Sequence, residues 1–306
     1  MRALRTTALI FSSAFLLPSC FQAQTGTGRD LRVESDLVLV PVTVSDPYNH
    51  PVKGLTKDSF RVFDDGVEQT ITHFSMDDAP VAIGMVFDNS ASMRFRLDRA
   101  RMAAAAFFRI ANPEDEYFLV QFNNSARLAV PLTQDLDELE RRITQARPAG
   151  HTALLDAIYL ALNEMKHSHL RRKALLIVSD GGDNASRYTE REVERLLRES
   201  DVVIYSIGIF APLNRRRPIE ELNGPALLRK ISERSGGRLI PVIDTIQLPY
   251  MAVKVGIEMR NRYVLGYAPA NIRDDGHYHR VQVKLSVPPG QPLYATWRDG
   301  YYAPAR

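Results

Sequence analysis

Val81-Ala82-Ile83-Gly84-Met85-Val86-Phe87 is an unbroken apolar run, and it leads directly into the polar cluster Asp88-Asn89-Ser90-Ala91-Ser92. A strand with one face in water would alternate. A strand without alternation is buried on both faces, as in a parallel sheet between two helix layers. Reading outward, an Ala-rich helical stretch follows from Phe95 to Ile110 and stops before Asn112-Pro113. Tyr117 to Phe122 reads as the next strand, with Ala126 to Val130 as a partner reached through the Asn123-Asn124-Ser125 turn. Helical stretches cover Leu136 to Ala146 and Ala153 to Lys166, then Lys173 to Val178 is a second fully apolar strand. Helix Glu190 to Glu199, strand Val202 to Ile209, helix Pro225 to Ser235, strand Arg238 to Val242 and helix Ile246 to Arg260 complete the alternation. Strands alternating with helices predict an α/β domain over 79–260, with a doubly wound, mostly parallel sheet flanked by helices.

The flanks have a different character. Asp36 to Val44, Ser59 to Phe63 and Gln69 to Phe74 read as strands within 35–78, with Asp64-Asp65-Gly66 as a turn. Arg262 to Tyr267, Tyr278 to Val287 and Leu293 to Arg298 read as strands within 261–306, with Pro288-Pro289-Gly290 as a turn. The first block is too small to stand comfortably alone. Together the two blocks are expected to form one small accessory β-module.

The 306 residues carry a formal charge of +3, too little to suggest nucleic acid as a partner. The one tight basic run, Arg215-Arg216-Arg217, precedes Pro218 and reads as a solvated loop. At the start of the chain, Arg2 and Arg5 precede the apolar residues Ala8 to Phe11 and Ala14 to Leu17. A basic segment before a short apolar one predicts a signal peptide over 1–23, followed by a linker over 24–34. Cys20 is the only cysteine, so no intrachain disulfide forms. Leu17-Pro18-Ser19-Cys20 resembles a bacterial lipobox, which would make Cys20 the lipidated first residue of the mature chain; ordinary cleavage after Ala23 is the alternative. The expected location is outside the cytoplasm: periplasm, outer membrane as a lipoprotein, or extracellular medium. Membrane contact is expected only through such an anchor.

In an open parallel sheet, ligands bind beyond the carboxyl ends of the strands. Three loops fall at that edge. The first holds Asp88, Ser90 and Ser92, the second holds Thr152 in Gly150-His151-Thr152, and the third holds Asp180 in Ser179-Asp180-Gly181-Gly182. Two carboxylates and three hydroxyls are hard oxygen donors, suited to Mg²⁺, with Mn²⁺ or Ca²⁺ as substitutes, rather than to zinc or copper. Each residue also has a simpler explanation. Ser90, Ser92 or Thr152 could cap a helix, and Asp180 could belong to a turn with Gly181. Asp183 and Asn184 read as solvated loop residues within reach of a partner.

Asp88, Ser90 and Ser92 in an Asp-x-Ser-x-Ser pattern, Thr152 between Gly150 and Leu154, and Asp180 before Gly181 resemble the von Willebrand factor type A domain and its metal-ion-dependent adhesion site. The flanking runs Leu39 to Val44, Phe60 to Gly66, Tyr263 to Tyr267 and Gly300 to Pro304 resemble an acidobacterial subgroup of that family. The resemblance implies a single divalent cation, with Ser90, Ser92 and Thr152 as direct ligands and Asp88 and Asp180 acting largely through water. It implies a non-enzymatic adhesion or protein-binding role, in which the cation meets an Asp or Glu carboxylate of a protein partner. Two alternatives share the fold. One is a metal-dependent phosphoryl-transfer or hydrolytic enzyme, disfavoured because Ser90 stands where a second carboxylate would be needed and no phosphate loop follows the first strand. The other is a structural envelope protein in which the metal only stabilises.

Overall fold

The computed structural model describes residues 37–48, 50–76, 79–210, 219–269, 275–286, 290 and 292–303. The expected signal segment with Cys20, the 24–34 linker, the Arg215-Arg216-Arg217 run and Pro288-Pro289 lie outside the described residues. Along the chain come β1 (Val38–Ser45), β2 (Phe60–Asp64), β3 (Val67–Gln69) and β4 (His73–Ser75). The alternating stretch contains β5 (Val81–Asp88), α1 (Leu97–Phe108), β6 (Glu116–Phe122), β7 (Ala126–Thr133), α2 (Leu136–Gln145) and α3 (Leu154–Glu164). It continues with β8 (Arg172–Ser179), α4 (Glu190–Arg198), β9 (Val202–Ile209), α5 (Ile219–Arg234), β10 (Leu239–Val242) and α6 (Leu248–Arg260). Last come β11 (Tyr263–Tyr267), β12 (Tyr278–Leu285), β13 (Tyr294–Trp297) and β14 (Gly300–Tyr302).

The central sheet has the order β10-β9-β8-β5-β6-β7, parallel except for β7, which pairs antiparallel to β6. All eight residues of β5 are buried, as an unbroken apolar run requires. Its alternate side chains serve two cores. Ile83, Met85 and Phe87 pack with Leu97, Phe107, Ile143, Val255 and Met259, which come from α1, α2 and α6. Ala82 and Val86 pack with Ile158, Leu162, Val193 and Leu228, from α3, α4 and α5 on the opposite face. The expected doubly wound α/β architecture is therefore present. After β5 the chain turns to α1 on one face; after the neighbouring β8 it turns to α4 on the other. Loops that part in this way open a crevice at the carboxyl ends of β5 and β8, which is where such sheets bind ligands.

The flanking strands form two antiparallel four-stranded sheets, β13-β1-β11-β4 and β14-β12-β2-β3. Each takes strands from both ends of the chain, as expected, and they share a core of Val40, Val42, Phe60, Val62, Tyr263, Leu265, Val281 and Val283. Trp297 packs against this core and donates its indole N–H to Val281 O at 2.9 Å. The Asp64-Asp65-Gly66 signal is confirmed as the β2–β3 turn, with φ +47° at Asp65 and +83° at Gly66. Two successive left-handed residues are what a tight hairpin needs to match strand twist.

Three expectations need correction. The run Gln69 to Phe74 is not one strand: β3 pairs with β2 in one sheet and β4 with β11 in the other. Apolar content alone does not reveal a chain that changes sheets, and Ile71 is buried at the crossing. Helix α5 begins at Ile219 and carries Pro225 inside it, so proline did not mark the first helical position. Strand β14 follows β13 after only two residues, too closely to be separated by pattern.

Candidate metal centre

β5 ends on Asp88, which is fully buried. Its Oδ1 accepts a hydrogen bond from Ser90 N at 2.9 Å, and its Oδ2 accepts from Ser179 Oγ at 2.6 Å. Ser90 Oγ lies 2.9 Å from Ser92 Oγ. Neither serine caps a helix through its hydroxyl: Ser90 precedes the short 3-10 turn Ala91–Met93 without a side-chain cap bond, and α1 follows Arg96 without one. Thr152 does not cap α3 either. The first free N–H groups of that helix, Leu154 N and Leu155 N, donate to Asp183 Oδ1 at 2.9 and 3.3 Å. Asp180 does make the expected turn bond, from Gly182 N to Oδ1 at 3.3 Å. Its Oδ2 accepts from Arg96 Nη1, also at 3.3 Å.

The three loops hold one another in place. Ala91 N donates to Gly150 O at 3.1 Å and Ala149 N to Asn89 O at 3.0 Å, joining the first loop to the second. Thr152 N donates to Asn184 Oδ1 while Asn184 N donates to Thr152 O, both at 2.9 Å, joining the second to the third. The Ser179–Asp88 and Arg96–Asp180 contacts join the third to the first. Gly181 has φ +82°, and a Cβ there would meet Gly224 O of α5 at 2.7 Å. Only glycine lets the Asp180 loop lie this close to the helix backbone. All five expected residues thus stand on one mutually bonded cluster of loops.

Electrostatics distinguish this cluster from an ordinary polar turn. Burial, and then the negative charge of Asp180, push the Asp88 carboxyl up to about 7, against the hydrogen bonds from Ser179 and Ser90. The side chains fit a hard divalent cation in kind: every donor is oxygen, and two carboxylates stand together with Arg96 touching one of them through a single 3.3 Å contact.

Several contributors had no clear mark in the sequence. Ser179 orients Asp88 and also accepts from Gly181 N at 2.9 Å. Arg96 brings the site its own positive charge. Asp183 and Asn184, read as solvated loop residues, instead fix the start of α3 and the backbone of Thr152. A polar residue closing a buried strand could have flagged Ser179. The cross-loop contacts of Asp183 and Asn184 have no local signal.

Residues 83–182, which include the Asp88 cluster, Thr152 and Asp180, match the von Willebrand factor type A domain family. This chain carries a von Willebrand factor type A domain. The solved von Willebrand factor type A structure from Catenulispora acidiphila shares this fold at a TM-score of 0.53 and 13% identity, covering 82% of this chain and 75% of that one. A mutant of the PilB minor pilin from Streptococcus sanguinis aligns at a TM-score of 0.50 and 13% identity, over 61% of this chain and 62% of the pilin. An uncharacterized protein of Borreliella burgdorferi is 26% identical over 151 residues, and the matched region spans 44% of each chain. The von Willebrand factor type A domain here therefore has two additional antiparallel sheets built from its flanks. Among the described residues, no helix is long and apolar enough to cross a membrane.

Proposed function

We propose that this chain is an exported, non-enzymatic binding module that presents one divalent cation, Mg²⁺ in the first instance, to an Asp or Glu carboxylate of a partner protein. The observation that carries the reading is the convergence of Asp88, Ser90, Ser92, Thr152 and Asp180 on three interlocked loops, with Asp88 pushed up to about 7 by burial and by Asp180. Ser90, Ser92 and Thr152 would hold the ion through neutral hydroxyls, with Asp88 and Asp180 supporting it through water. When bound, the ion supplies a positive charge that neutral ligands leave incompletely neutralised, and an external carboxylate is its natural complement. The residues around it do the positioning: Ser179 orients Asp88, Asn184 fixes Thr152, and Arg96 orients Asp180.

A protein partner is also supported by Phe95. It stands on the loop between Ser92 and α1 and is 94% exposed. A large aromatic side chain beside a polar anchor is the kind of residue on which protein interfaces concentrate their affinity.

The test has two stages. Calorimetry with Mg²⁺ and then Mn²⁺ should give one site per chain, lost in Thr152→Ala and Asp88→Ala while the far-UV spectrum is kept. Recovery of envelope proteins on immobilised chain should then need Mg²⁺ and fail with EDTA or with Thr152→Ala. Equal recovery under all conditions would sink metal-dependent binding.

A further inference from the structure

A second cluster of metal-binding groups lies in the β-module. One carboxylate oxygen of Asp64, one of Asp65 and one ring nitrogen of His279 lie within 4.8 Å of one another. Asp64 closes β2, Asp65 occupies the β2–β3 turn, and His279 is carried by the neighbouring strand β12. Asp64 is only 7% exposed. Its Oδ2 accepts from Tyr267 OH and from Tyr301 OH, each at 2.9 Å. Its Oδ1 is buried and accepts no hydrogen bond from the described residues. A carboxylate oxygen so placed costs free energy unless something positive meets it. With Oδ2 taken by two phenols, Oδ1 is the oxygen left for a ligand.

The histidine is set up in the same sense. His279 Nδ1 lies 2.9 Å from Asp65 Oδ2, and Nε2 lies 3.3 Å from Asp275 Oδ1. The Tyr301 ring stacks against the imidazole, with centroids 5.5 Å apart. Asp65 is held by its other oxygen, which accepts from Arg280 N at 2.9 Å. Metal-bound histidines commonly bind through one ring nitrogen and donate the other N–H to a carboxylate, which fixes tautomer and orientation. Nδ1 beside Asp65 and Nε2 beside Asp275 is that arrangement.

We propose that Asp64, Asp65 and His279 form a second divalent-metal site, with Asp275 as its positioning residue. One imidazole and two carboxylates favour a borderline transition metal such as Zn²⁺ over Mg²⁺. The site is separate in residues and in donor chemistry from the all-oxygen centre at Asp88. Its ligands come from one sheet, and Asp64 ties that sheet to the other through the hydrogen bond from Tyr267 on β11. Metal bound there stabilises the module that both ends of the chain build.

The test is calorimetric titration of the metal-stripped chain with Zn²⁺ in excess Mg²⁺, which occupies the Asp88 centre. One Zn²⁺ per chain is expected, with a rise in Tm. His279→Ala should abolish binding. Because that change could also disturb folding, Asp65→Asn is the second variant: asparagine accepts the left-handed turn and keeps the acceptor for Arg280 N. It should weaken Zn²⁺ strongly while leaving the metal-free Tm near that of the parent. Asp275→Asn should weaken Zn²⁺ by about 10–100-fold, as loss of a carboxylate behind a ligating histidine does. Failure of the parent to bind Zn²⁺ under these conditions, or undiminished binding in both His279→Ala and Asp65→Asn, would overturn the proposal.

Discussion

At the amino end of the central sheet, Asp115 stands just ahead of β6 and is buried. Its Oδ1 accepts from Val81 N at 3.0 Å, its Oδ2 accepts from Tyr117 OH at 2.8 Å, and the Arg260 guanidinium pairs with it. At the carboxyl end, Asp88 is equally buried, yet its acceptors are filled by a serine hydroxyl and a backbone N–H, and the charge that acts on it most strongly is that of Asp180. Both carboxylates close off a buried strand edge. One is neutralised in place by an arginine; the other faces a like charge. The pair at the carboxyl end has Arg96 as its counter-charge, through one 3.3 Å contact to Asp180, and it is on this weaker balance that the proposed cation site rests.

The largest expected effect tests the amino end. Arg260→Ala should leave Asp115 buried without its counter-charge and cost about 3–5 kcal/mol in urea unfolding, as loss of one partner from a buried pair does. Asp88→Asn, measured in EDTA, should leave stability unchanged or raise it, because it removes one of two like charges. Equal losses in the two variants would remove the contrast.

A pH series sharpens the same point. The Asp88 carboxyl ordinarily releases its proton near 3.8 but holds it to about 7 in the folded chain. Between those values the native state binds more protons than the unfolded chain, so this group's stabilisation is full below the lower value and is lost as pH rises through the upper one. Stability in EDTA should therefore decline from pH 4 toward neutrality by on the order of a few kcal/mol, since each pH unit between the two values contributes roughly 1.4 kcal/mol. Asp88→Asn should flatten that slope, and saturating Mg²⁺ should do so as well. A slope identical in parent and variant would assign it to other groups.

How much of this was legible in the sequence follows from the range of the interactions. The apolar run Val81 to Phe87 carries its burial in its own composition, so the sheet could be read directly. The placing of the five candidate residues on neighbouring loops was legible because each lies near the end of a strand or the start of a helix. Ser179, Arg96, Asp183 and Asn184 act across loops separated by tens of residues, and nothing local distinguishes them from solvated polar groups. The Asp64–His279 cluster was hidden for the same reason, since its members come together only when the two chain ends share a sheet. The crossing at Ile71 escaped because a strand and a sheet-changing strand pair have the same composition.

Asp183 offers an intermediate effect. It satisfies the N-terminal N–H groups of α3 from another loop, and burial pushes its carboxyl up despite the hydrogen bonds from Ser186, Leu155 and Leu154. Asp183→Ala should cost about 1 kcal/mol, as loss of a helix cap does. Because the start of α3 follows Thr152 directly, Mg²⁺ affinity in calorimetry should also fall, by about 10-fold for a residue acting behind the ligands. A stability loss with unchanged Mg²⁺ affinity would separate the helix start from the site.

The smallest effect on stability belongs to Arg96, the cation that the carboxyl end supplies for itself. Its contact with Asp180 is formally the counterpart of Arg260 with Asp115, but its geometry is looser, a single 3.3 Å contact from a side chain that is 18% exposed. One long hydrogen bond holds this pair where two hold Arg260 to Asp115, so Arg96→Ala should cost no more than about 1 kcal/mol in EDTA. Its effect on the metal should have the opposite sign. Removing a fixed positive charge beside the site, and releasing Asp180 from its partner, should tighten Mg²⁺ several-fold in the same calorimetric assay. If Arg96→Ala instead destabilised the chain as strongly as Arg260→Ala and left Mg²⁺ affinity unchanged, the two ends of the sheet would be equivalent, and the acidic pair at Asp88 would lose its standing as a cation site. A tighter Mg²⁺ complex with nearly unchanged stability would identify Arg96 as a weak internal competitor that the incoming cation displaces from Asp180.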